Sequence, residues 1–328
     1  MFKYLIVFIA GFLFSALFMV ILRAVSIKYK ILYLKGVSLL GGLGLALSML
    51  IALLLGKVIF NLYFSKEFIL MGSAFIILAF GIIDDLKEMS VVNKILVQSL
   101  CAILLIASGI RTDIVYIGFI GNIIVTYLWI LGITNAFNLL DIMDGLSSGV
   151  ALIVSSAFLV ISFLNHNLNM QIIIVSLCAA IIGFMLFNLS SKKLYLGNSG
   201  SHFLGLLIAS VALTLHFAPL EKKFALLSPI IILWLPIIDT ILLMVFRIKK
   251  GRVPFVKSND HIAFKISLLG YSHNKTIILM FSLCFGFALS GVILSRVSNL
   301  IAIGILSAVF LCTLVLFHRL ITVDNEIK

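Results

Sequence analysis

Residues 120–145 read IGNIIVTYLWILGITNAFNLLDIMDG, an apolar run that ends in a dense group of amide and carboxylate side chains. The run is long enough to cross the hydrocarbon core of a bilayer, which takes about 20 helical residues. Lipid offers no hydrogen-bond partners, so polar side chains at the end of such a helix usually face a cavity or water. The stretch therefore predicts a membrane-spanning helix whose end carries a polar site.

Apolar runs of similar length fill most of the chain. Of its 328 residues, 63% are hydrophobic and 11% are charged, and the mean hydropathy is +1.29, whereas soluble domains are about half apolar and a quarter charged. We predict an all-α polytopic membrane protein with about eleven transmembrane helices, forming one integral membrane domain over residues 1–328. The predicted spans are residues 2–22, 38–56, 67–83, 91–109, 120–140, 148–164, 171–188, 200–216, 224–246, 276–295 and 299–317.

Two segments need a separate interpretation. The first span, residues 2–22, is longer than the apolar part of a usual signal peptide and no clear cleavage site follows it, so we expect it to stay in the protein. Residues 111–119, between the fourth and fifth spans, predict a short extended hairpin.

The basic residues indicate the orientation of the chain. The net charge is +12, and most of the 24 Lys and Arg residues fall in loops on one side of the membrane if the N-terminus is outside. Cytoplasmic loops carry such an excess, so we predict an outside N-terminus and a cytoplasmic C-terminus. Topology and contacts with anionic membrane lipids account for the charge, and no nucleic-acid partner is expected. The main polar clusters then gather at the cytoplasmic face.

The most informative cluster places Asn135, Asn138, Asp141 and Asp144 at every third residue. On an unbroken helix each step of three lags by about 60°, so the four side chains would spiral around half the circumference and some would face lipid. We therefore expect the helix to end near Asp141, with Gly145 opening a turn that folds the group around one pocket. Amide-mediated helix packing is the alternative interpretation.

Two adjacent carboxylates, Asp84 and Asp85, end another apolar run. Two such groups repel each other, which favours a cation or a proton-transfer role; the alternative is a helix end that simply reaches water. Lys94 follows on the next span and could hold a phosphate or anchor the helix at the lipid headgroups.

A third cluster opens the eighth span with Gly197-Asn198-Ser199-Gly200-Ser201. Small residues at a helix N-terminus expose backbone N–H groups that suit a phosphate, although Gly-Ser turns also cap many ordinary helices. The fourth cluster is a basic loop containing Arg252 and the pair Asp260-His261, with Asp239 alone in the preceding span. Such a loop serves topology and lipid contact, or it binds phosphate groups. Carboxylates, amides, a phosphate-ready helix start and a cationic loop together favour phosphoryl transfer.

These motifs resemble the polyprenyl-phosphate N-acetylhexosamine-1-phosphate transferases of the bacterial glycosyltransferase family 4 type, over about residues 35–272. Residues 81–85 match the family's aspartate pair, and residues 135–146 match its NxxNxxDGxDGL signature. Residues 196–201 resemble its GDxGS motif, and residues 251–270 resemble its histidine-motif loop.

The resemblance implies a multi-pass enzyme of the bacterial inner (cytoplasmic) membrane. It implies transfer of a sugar-1-phosphate from a UDP-sugar to polyprenyl (undecaprenyl) phosphate with Mg²⁺, or Mn²⁺, releasing UMP and starting a cell-envelope glycan such as peptidoglycan, teichoic acid or O-antigen. It also allows a homodimer. The implied site comprises the catalytic residues Asp84, Asp85, Asp141 and Asp144, the substrate-binding residues Lys94, Asn135, Asn138, Gly197, Ser199, Gly200, Ser201, Arg252 and His261, and the metal ligands Asp85, Asp144 and Asn198.

The sequence also departs from the family pattern. Asn198 stands where the family has an aspartate that contacts Mg²⁺, and Ile142 replaces a glycine of the signature. Ala263 and Phe264 stand where the family often has further histidines. An amide oxygen still ligates a cation but brings no charge, so a lower metal affinity is expected. Two alternatives stay open, namely a catalytically impaired relative that binds these substrates, and a membrane transporter.

Overall fold

The protein is described by a computed structural model, which covers residues 1–34, 36–190, 194–217, 222–251 and 260–326. Most of these residues are helical, so the predicted all-α class is confirmed. The chain divides into two compact units, Met1–His216 and Phe217–Lys328, and each is described by itself below.

The described residues of the first unit form eight long helices joined by short connections. Two short strands, Tyr33–Leu34 and Val37–Ser38, pair antiparallel, and a 3₁₀ turn spans Val115–Ile117. The elements are α1 (Phe2–Tyr29), β1 (Tyr33–Leu34), β2 (Val37–Ser38), α2 (Gly41–Phe60), α3 (Lys66–Leu86), α4 (Val91–Ala107), α5 (Gly118–Leu140), α6 (Leu146–Leu164), α7 (Leu168–Asn188) and α8 (Gly197–Thr214).

Helix α8 lies at the centre of this unit and packs against α2, α3, α5 and α6. At its N-terminal end, the backbone of α8 lies directly against the backbones of α2 and α3, because each of these two helices has a glycine at the contact. A Cβ on Gly42 of α2 would lie 2.4 Å from the Cα of Gly200, and a Cβ on Gly81 of α3 would lie 2.3 Å from the Cα of Ser199. Small residues permit this close approach of helices in a membrane. The sequence therefore fixes the N-terminal end of α8 against α2 and α3.

Backbone hydrogen bonds hold the start of α8 against the start of α2. The amide of Gly41 donates to the carbonyl of Tyr195 (3.1 Å), and that of Gly42 donates to the carbonyl of Leu196 (3.0 Å). The amide of Tyr195 donates in turn to the carbonyl of Ser38 (2.8 Å). The segment entering α8 is thus fixed by three backbone bonds to residues 38–42.

The second unit contains a bent pair of helices, a short helix and two long apolar helices. A bend of 71° separates Lys223–Ile232 from Trp234–Lys249. Pro236 explains the break, since it has no N–H to donate to the carbonyl of Ile232. The elements are a 3₁₀ helix (Lys223–Leu227), α9 (Ser228–Ile232), α10 (Trp234–Lys249), α11 (Ile262–Leu268), α12 (His273–Leu294) and α13 (Asn299–Glu326).

Each of the eleven predicted spans coincides with a helical segment. By length and composition, eight helices in the described residues can cross a membrane, or nine if the bent pair counts as one span. Of the two others, α4 has 17 residues and α8 begins with the polar sequence GNSGSH. The polytopic class is therefore confirmed, while the count of eleven and the orientation stay predictions.

The predicted extended hairpin at residues 111–119 is wrong. The segment instead contains the 3₁₀ turn, because the side chain of Asn122 takes the place of a pairing strand. Its Oδ1 accepts from the amide of Ile114 (2.7 Å), and its Nδ2 donates to the carbonyl of the same residue (3.0 Å).

The contact between α2 and α8 gives a direct test of this packing. We expect Gly42→Ala to lower stability by about 1–3 kcal/mol or more, the usual cost of overpacking, because the added Cβ meets the backbone of Gly200. Gly72→Ala is the matched control, since nothing lies within 4 Å of the position of its added Cβ. Thermal unfolding in detergent measures both, and equal melting temperatures would contradict the packing described.

Candidate active site

The carboxylate of Asp85, in the last turn of α3, caps the N-terminus of α8. Its Oδ1 accepts from the amide of Asn198 (2.8 Å) and its Oδ2 from the amide of Ser199 (3.1 Å). Gly197 makes this approach possible, because its φ of +72° suits glycine and a Cβ there would lie 2.6 Å from Asp85 Oδ2. The N–H groups predicted to hold a phosphate therefore already hold an anion, the carboxylate of Asp85.

The neighbouring Asp84 is buried and both its oxygens are occupied. Its Oδ2 lies 2.7 Å from Lys94 Nζ, and its Oδ1 accepts from the amide of Met89 (2.7 Å). The structure thus brings together two predicted residues, Asp84 and Lys94, as an ion pair across the connection between α3 and α4. This pair holds the connection in place and neutralises one of the two adjacent carboxylates.

A small cavity lies beside this ion pair. It measures about 20 Å³, enough for one water molecule, and its lining includes Asp84, Lys94, Gln98 and His202. The Nδ1 of His202 lies 2.7 Å from the carbonyl oxygen of Asn198. Gln98 and His202 were not among the site residues predicted from the sequence. Their signal was a polar side chain inside an apolar run, the same signal that identified the other clusters.

The two asparagines of α5 have different partners. Asn135 and Gln98 of α4 exchange amide hydrogen bonds, from Asn135 Nδ2 to Gln98 Oε1 (2.7 Å) and from Gln98 Nε2 to Asn135 Oδ1 (3.1 Å). Asn135 therefore follows the alternative interpretation of the sequence, in which an amide side chain packs one helix against another. Asn138 instead faces α8, where its Nδ2 donates to Asn198 Oδ1 (3.1 Å) and to Ser201 Oγ (2.9 Å).

Helix α5 ends at Leu140, and Gly145 has a φ of +81° before α6 begins. The predicted helix end near Asp141 and the turn at Gly145 are therefore confirmed. Asp141 follows the helix, and within the described residues its carboxylate forms no hydrogen bond. Burial, together with the negative charges of Asp85 and Asp144, raises the pKa of Asp141 to about 7. Three carboxylates are thus close enough to repel one another at this end of the helices.

The site offers oxygen atoms to a cation without a preassembled metal cage. In the part of the chain that the structure describes, no group of three or more His, Cys, Asp or Glu side chains is arranged to hold a metal ion. Mg²⁺ usually binds through one or two carboxylates, waters and substrate phosphates rather than through an all-protein cage. The donors present therefore fit Mg²⁺ bound in that manner.

The second unit holds a separate buried network of charges. Asp239 Oδ2 lies 2.8 Å from His261 Nδ1, and Asp239 Oδ1 accepts from the amide of Ile262 (2.8 Å). Lys250 Nζ lies 2.5 Å from Asp260 Oδ1, and Lys265 Nζ lies 3.5 Å from the ring centre of Phe246. Asp239 thus fixes the imidazole of His261 and caps the start of α11.

The structure places the predicted residues in two groups. His261 belongs to the second unit, and Arg252 lies outside the described residues. The others lie in the first unit. Asn135 lies one turn before Asn138 and bonds Gln98 of α4. The rest form or are connected to the N-terminal end of α8 by hydrogen bonds, the small cavity or charge interactions, and they are Asp84, Asp85, Lys94, Asn138, Asp141, Asp144, Gly197, Asn198, Ser199, Gly200 and Ser201.

Comparison with known proteins identifies a family and several relatives. Residues 67–216 match the family described as "Glycosyl transferase family 4". The chain is 31% identical over 229 residues to a "Probable undecaprenyl-phosphate N-acetylglucosaminyl 1-phosphate transferase" of Bacillus subtilis, covering 67% of this chain and 64% of the relative. It is 29% identical over 235 residues to a "Decaprenyl-phosphate N-acetylglucosaminephosphotransferase" of Mycolicibacterium smegmatis, covering 63% and 58%.

A third relative is named for a different transfer reaction. It is a "Phospho-N-acetylmuramoyl-pentapeptide-transferase" of Listeria welshimeri, 32% identical over 177 residues, covering 53% of this chain and 50% of the relative. The chain thus spans less than two thirds of the length of each of these relatives. The resemblance drawn from the motifs is confirmed, and the chain belongs to glycosyl transferase family 4.

Proposed function

We propose that this protein transfers a sugar-1-phosphate, with an N-acetylhexosamine as the sugar, from a UDP-sugar to polyprenyl phosphate. An oxygen of the lipid phosphate attacks the phosphorus that carries the sugar. The bond from that phosphorus to the oxygen bridging to the uridine-linked phosphate breaks, which gives a polyprenyl-diphospho-sugar and UMP. A phosphate monoester has a second pKa near 6, so the attacking group is already deprotonated at neutral pH and the site needs no strong base.

The observation that carries the proposal is the meeting of acidic and amide side chains from α3, α5 and α8 at one end of apolar helices. Such groups are costly near lipid and mark a functional site. Phosphoryl transfer needs reactants to be positioned and charge to be neutralised, more than it needs covalent chemistry. The relatives named as polyprenyl-phosphate sugar-phosphate transferases support this choice of substrates.

The hydrogen bonds divide the acidic residues by role. Asp84 is paired with Lys94 and Asp85 is bonded to the first turn of α8, so both position the site. The carboxylate of Asp141 forms no hydrogen bond within the described residues, and Asp144 lies close enough to raise its pKa. Asp141 and Asp144 are therefore the carboxylates that we assign to the reacting groups.

Mg²⁺ is the cation that this donor set favours. Carboxylate and amide oxygens are hard ligands that suit it. A divalent ion would also offset the repulsion from Asp85 and Asp144, which adds to burial in raising the pKa of Asp141. Asp141 and Asp144 would hold the ion, and Mn²⁺ would serve in its place. When bound, the ion supplies charge neutralisation for the phosphate oxygens.

We further propose eleven spans, an outside N-terminus and a site at the cytoplasmic face of the bacterial inner membrane. The bias of Lys and Arg residues supports this orientation. It also suits the substrates, because a nucleotide sugar reaches the site from the cytoplasm while polyprenyl phosphate arrives within the membrane. The product would start a cell-envelope polysaccharide.

Release of UMP tests the proposed reaction. Purified protein with undecaprenyl phosphate, Mg²⁺ and a panel of UDP-N-acetylhexosamines should release UMP, and omission of the lipid or addition of EDTA should abolish the release. Asp141→Asn should lower the rate about a hundredfold or more, because it removes a carboxylate that would hold the cation, and with it the charge neutralisation that the cation would supply in the transition state.

Asn169→Ala is the matched control for this assay, because the Asn169 amide bonds Glu67 and Asn169 is not among the residues assigned to the site. It should keep the wild-type rate. No UMP release from the wild-type protein with any sugar of the panel would refute the proposed function.

The raised pKa of Asp141 predicts a pH-dependent stability. Because its folded-state pKa of about 7 exceeds the ordinary value of 3.8, the folded protein binds this proton more tightly than the unfolded chain does. Its contribution to the free energy of unfolding therefore falls as pH rises from about 4 to about 7 and stays low above that range. Asp141→Asn removes this penalty.

Thermal unfolding in detergent with EDTA measures the effect. We expect Asp141→Asn to melt at a higher temperature than wild type at pH 8, and the difference to be smaller at pH 5. An equal difference at both pH values would show that the carboxylate titrates in the same range in the folded and unfolded states.

A further inference from the structure

The structure places Asn138 Nδ2, and not its oxygen, toward Ser201 Oγ and Asn198 Oδ1, and the bonds of Ser201 agree with this orientation. A serine hydroxyl has one hydrogen to donate, and Ser201 Oγ donates it within α8, to the carbonyl of Gly197 (3.1 Å) or of Asn198 (3.3 Å). Toward Asn138 the hydroxyl can therefore only accept. The contact of 2.9 Å must be a donation by Asn138 Nδ2.

The orientation of Asn138 fixes that of Asn198. The second N–H of Asn138 Nδ2 points to Asn198 across 3.1 Å, so Asn198 must present its oxygen there, because two NH₂ groups facing each other cannot bond. The NH₂ group of Asn198 then points away from Asn138. Within the described residues it donates to no acceptor, and Asn198 is only partly buried.

Asn138 in turn keeps an acceptor atom, its Oδ1, that is not used within the pair. Asn138 Oδ1 receives no hydrogen bond from any described residue, and Asn138 is also partly buried. Among the described residues, the pair therefore presents one oxygen without a donor, on Asn138, and one N–H donor group without an acceptor, on Asn198. The sequence-based prediction made Asn198 a metal ligand through its oxygen, whereas in the structure that oxygen accepts from Asn138 and the group left without a described partner is the NH₂, which binds no cation.

We propose that Asn198 Nδ2 donates a hydrogen bond to a phosphoryl oxygen of the substrate, and that Asn138 Oδ1, with Asp141 and Asp144, faces the cation instead. This inference rests on the proposed function, since that function supplies the phosphate groups. A donor in position 198 suits an anion, whereas an acidic side chain there would add a fourth negative charge beside Asp85, Asp141 and Asp144 and repel it. Asn198 thus gives phosphate binding a component that needs no metal.

Binding measurements separate the two roles of Asn198. Mn²⁺ binding without substrate is followed by electron paramagnetic resonance, and binding of UDP or of undecaprenyl phosphate is followed by calorimetry in EDTA. We expect Asn198→Ala to leave the Mn²⁺ dissociation constant within about twofold of wild type. It should weaken at least one phosphate ligand about tenfold, the typical effect of losing a hydrogen bond to a charged group. The ligand whose binding is weakened shows whether Asn198 contacts a phosphate of the nucleotide or the phosphate of the lipid.

A second variant at the same position distinguishes the loss of the N–H donor from a general loss of folding. Asn198→Asp still accepts from Asn138 but loses the donor, so it should bind Mn²⁺ more tightly and the same phosphate ligand more weakly. Asn169→Ala should match wild type in every measurement, and melting temperatures confirm that the variants are folded.

The opposite pattern would overturn the inference. Mn²⁺ binding weakened tenfold by Asn198→Ala, with phosphate binding unchanged, would make Asn198 a metal ligand. Wild-type protein that binds neither phosphate ligand in EDTA would also overturn it, because a donor independent of the metal must give binding independent of the metal. If wild type still releases UMP in either case, the proposed function stands and only the role of Asn198 fails.

Discussion

The contact between the Asp85 carboxylate and the first turn of α8 is the interaction on which the site depends. It joins the end of α3 to the start of α8 through two charge-assisted hydrogen bonds, which are stronger than neutral ones. It forms only because Gly197 and Gly81 leave room for the backbone of one helix to reach the other. A bulkier residue at either position would separate the carboxylate from the N–H groups, and the residues that follow on α8 would lose their register against α5.

Lipid offers no hydrogen-bond partners, so a polar group in the membrane must find its partner within the protein. Most of the polar side chains at this end of the helices have one, and those side chains stabilise the structure. Asn135 bonds Gln98, and Asp84 pairs with Lys94. The Asp141 carboxylate, Asn138 Oδ1 and Asn198 Nδ2 lack a partner among the described residues. A polar group without a partner in a well-packed region calls for an explanation, and a bound ligand is one. We therefore expect metal or substrate to bind at these three groups.

The apolar runs of the sequence were sufficient to predict the helices. The polar residues at every third position predicted the end of α5, because such a spacing cannot continue along a helix in lipid. The spacing could not show that Asn135 and Asn138 have different roles. Their partners, Gln98 for Asn135 and residues of α8 for Asn138, come from helices distant in sequence. Nor could the sequence show that Asp85 occupies the N–H groups of α8, because that contact depends on the close approach of two backbones at Gly81. The 3₁₀ turn at Val115–Ile117 was missed because the Asn122 side chain captures the backbone of Ile114.

In the proposed site, the Asn138–Asn198 hydrogen bond would also couple the cation to the phosphoryl group. A cation near Asn138 Oδ1 would draw electron density from that amide and make its N–H a stronger donor to Asn198 Oδ1. That stronger bond would in turn polarise the Asn198 amide and strengthen donation from its Nδ2, as in other hydrogen-bonded chains. Binding of a cation on one side would then favour binding of a phosphoryl oxygen on the other, and the coupling free energy must be the same in both directions. A single amide pair would thus link metal and substrate without any movement of the helices.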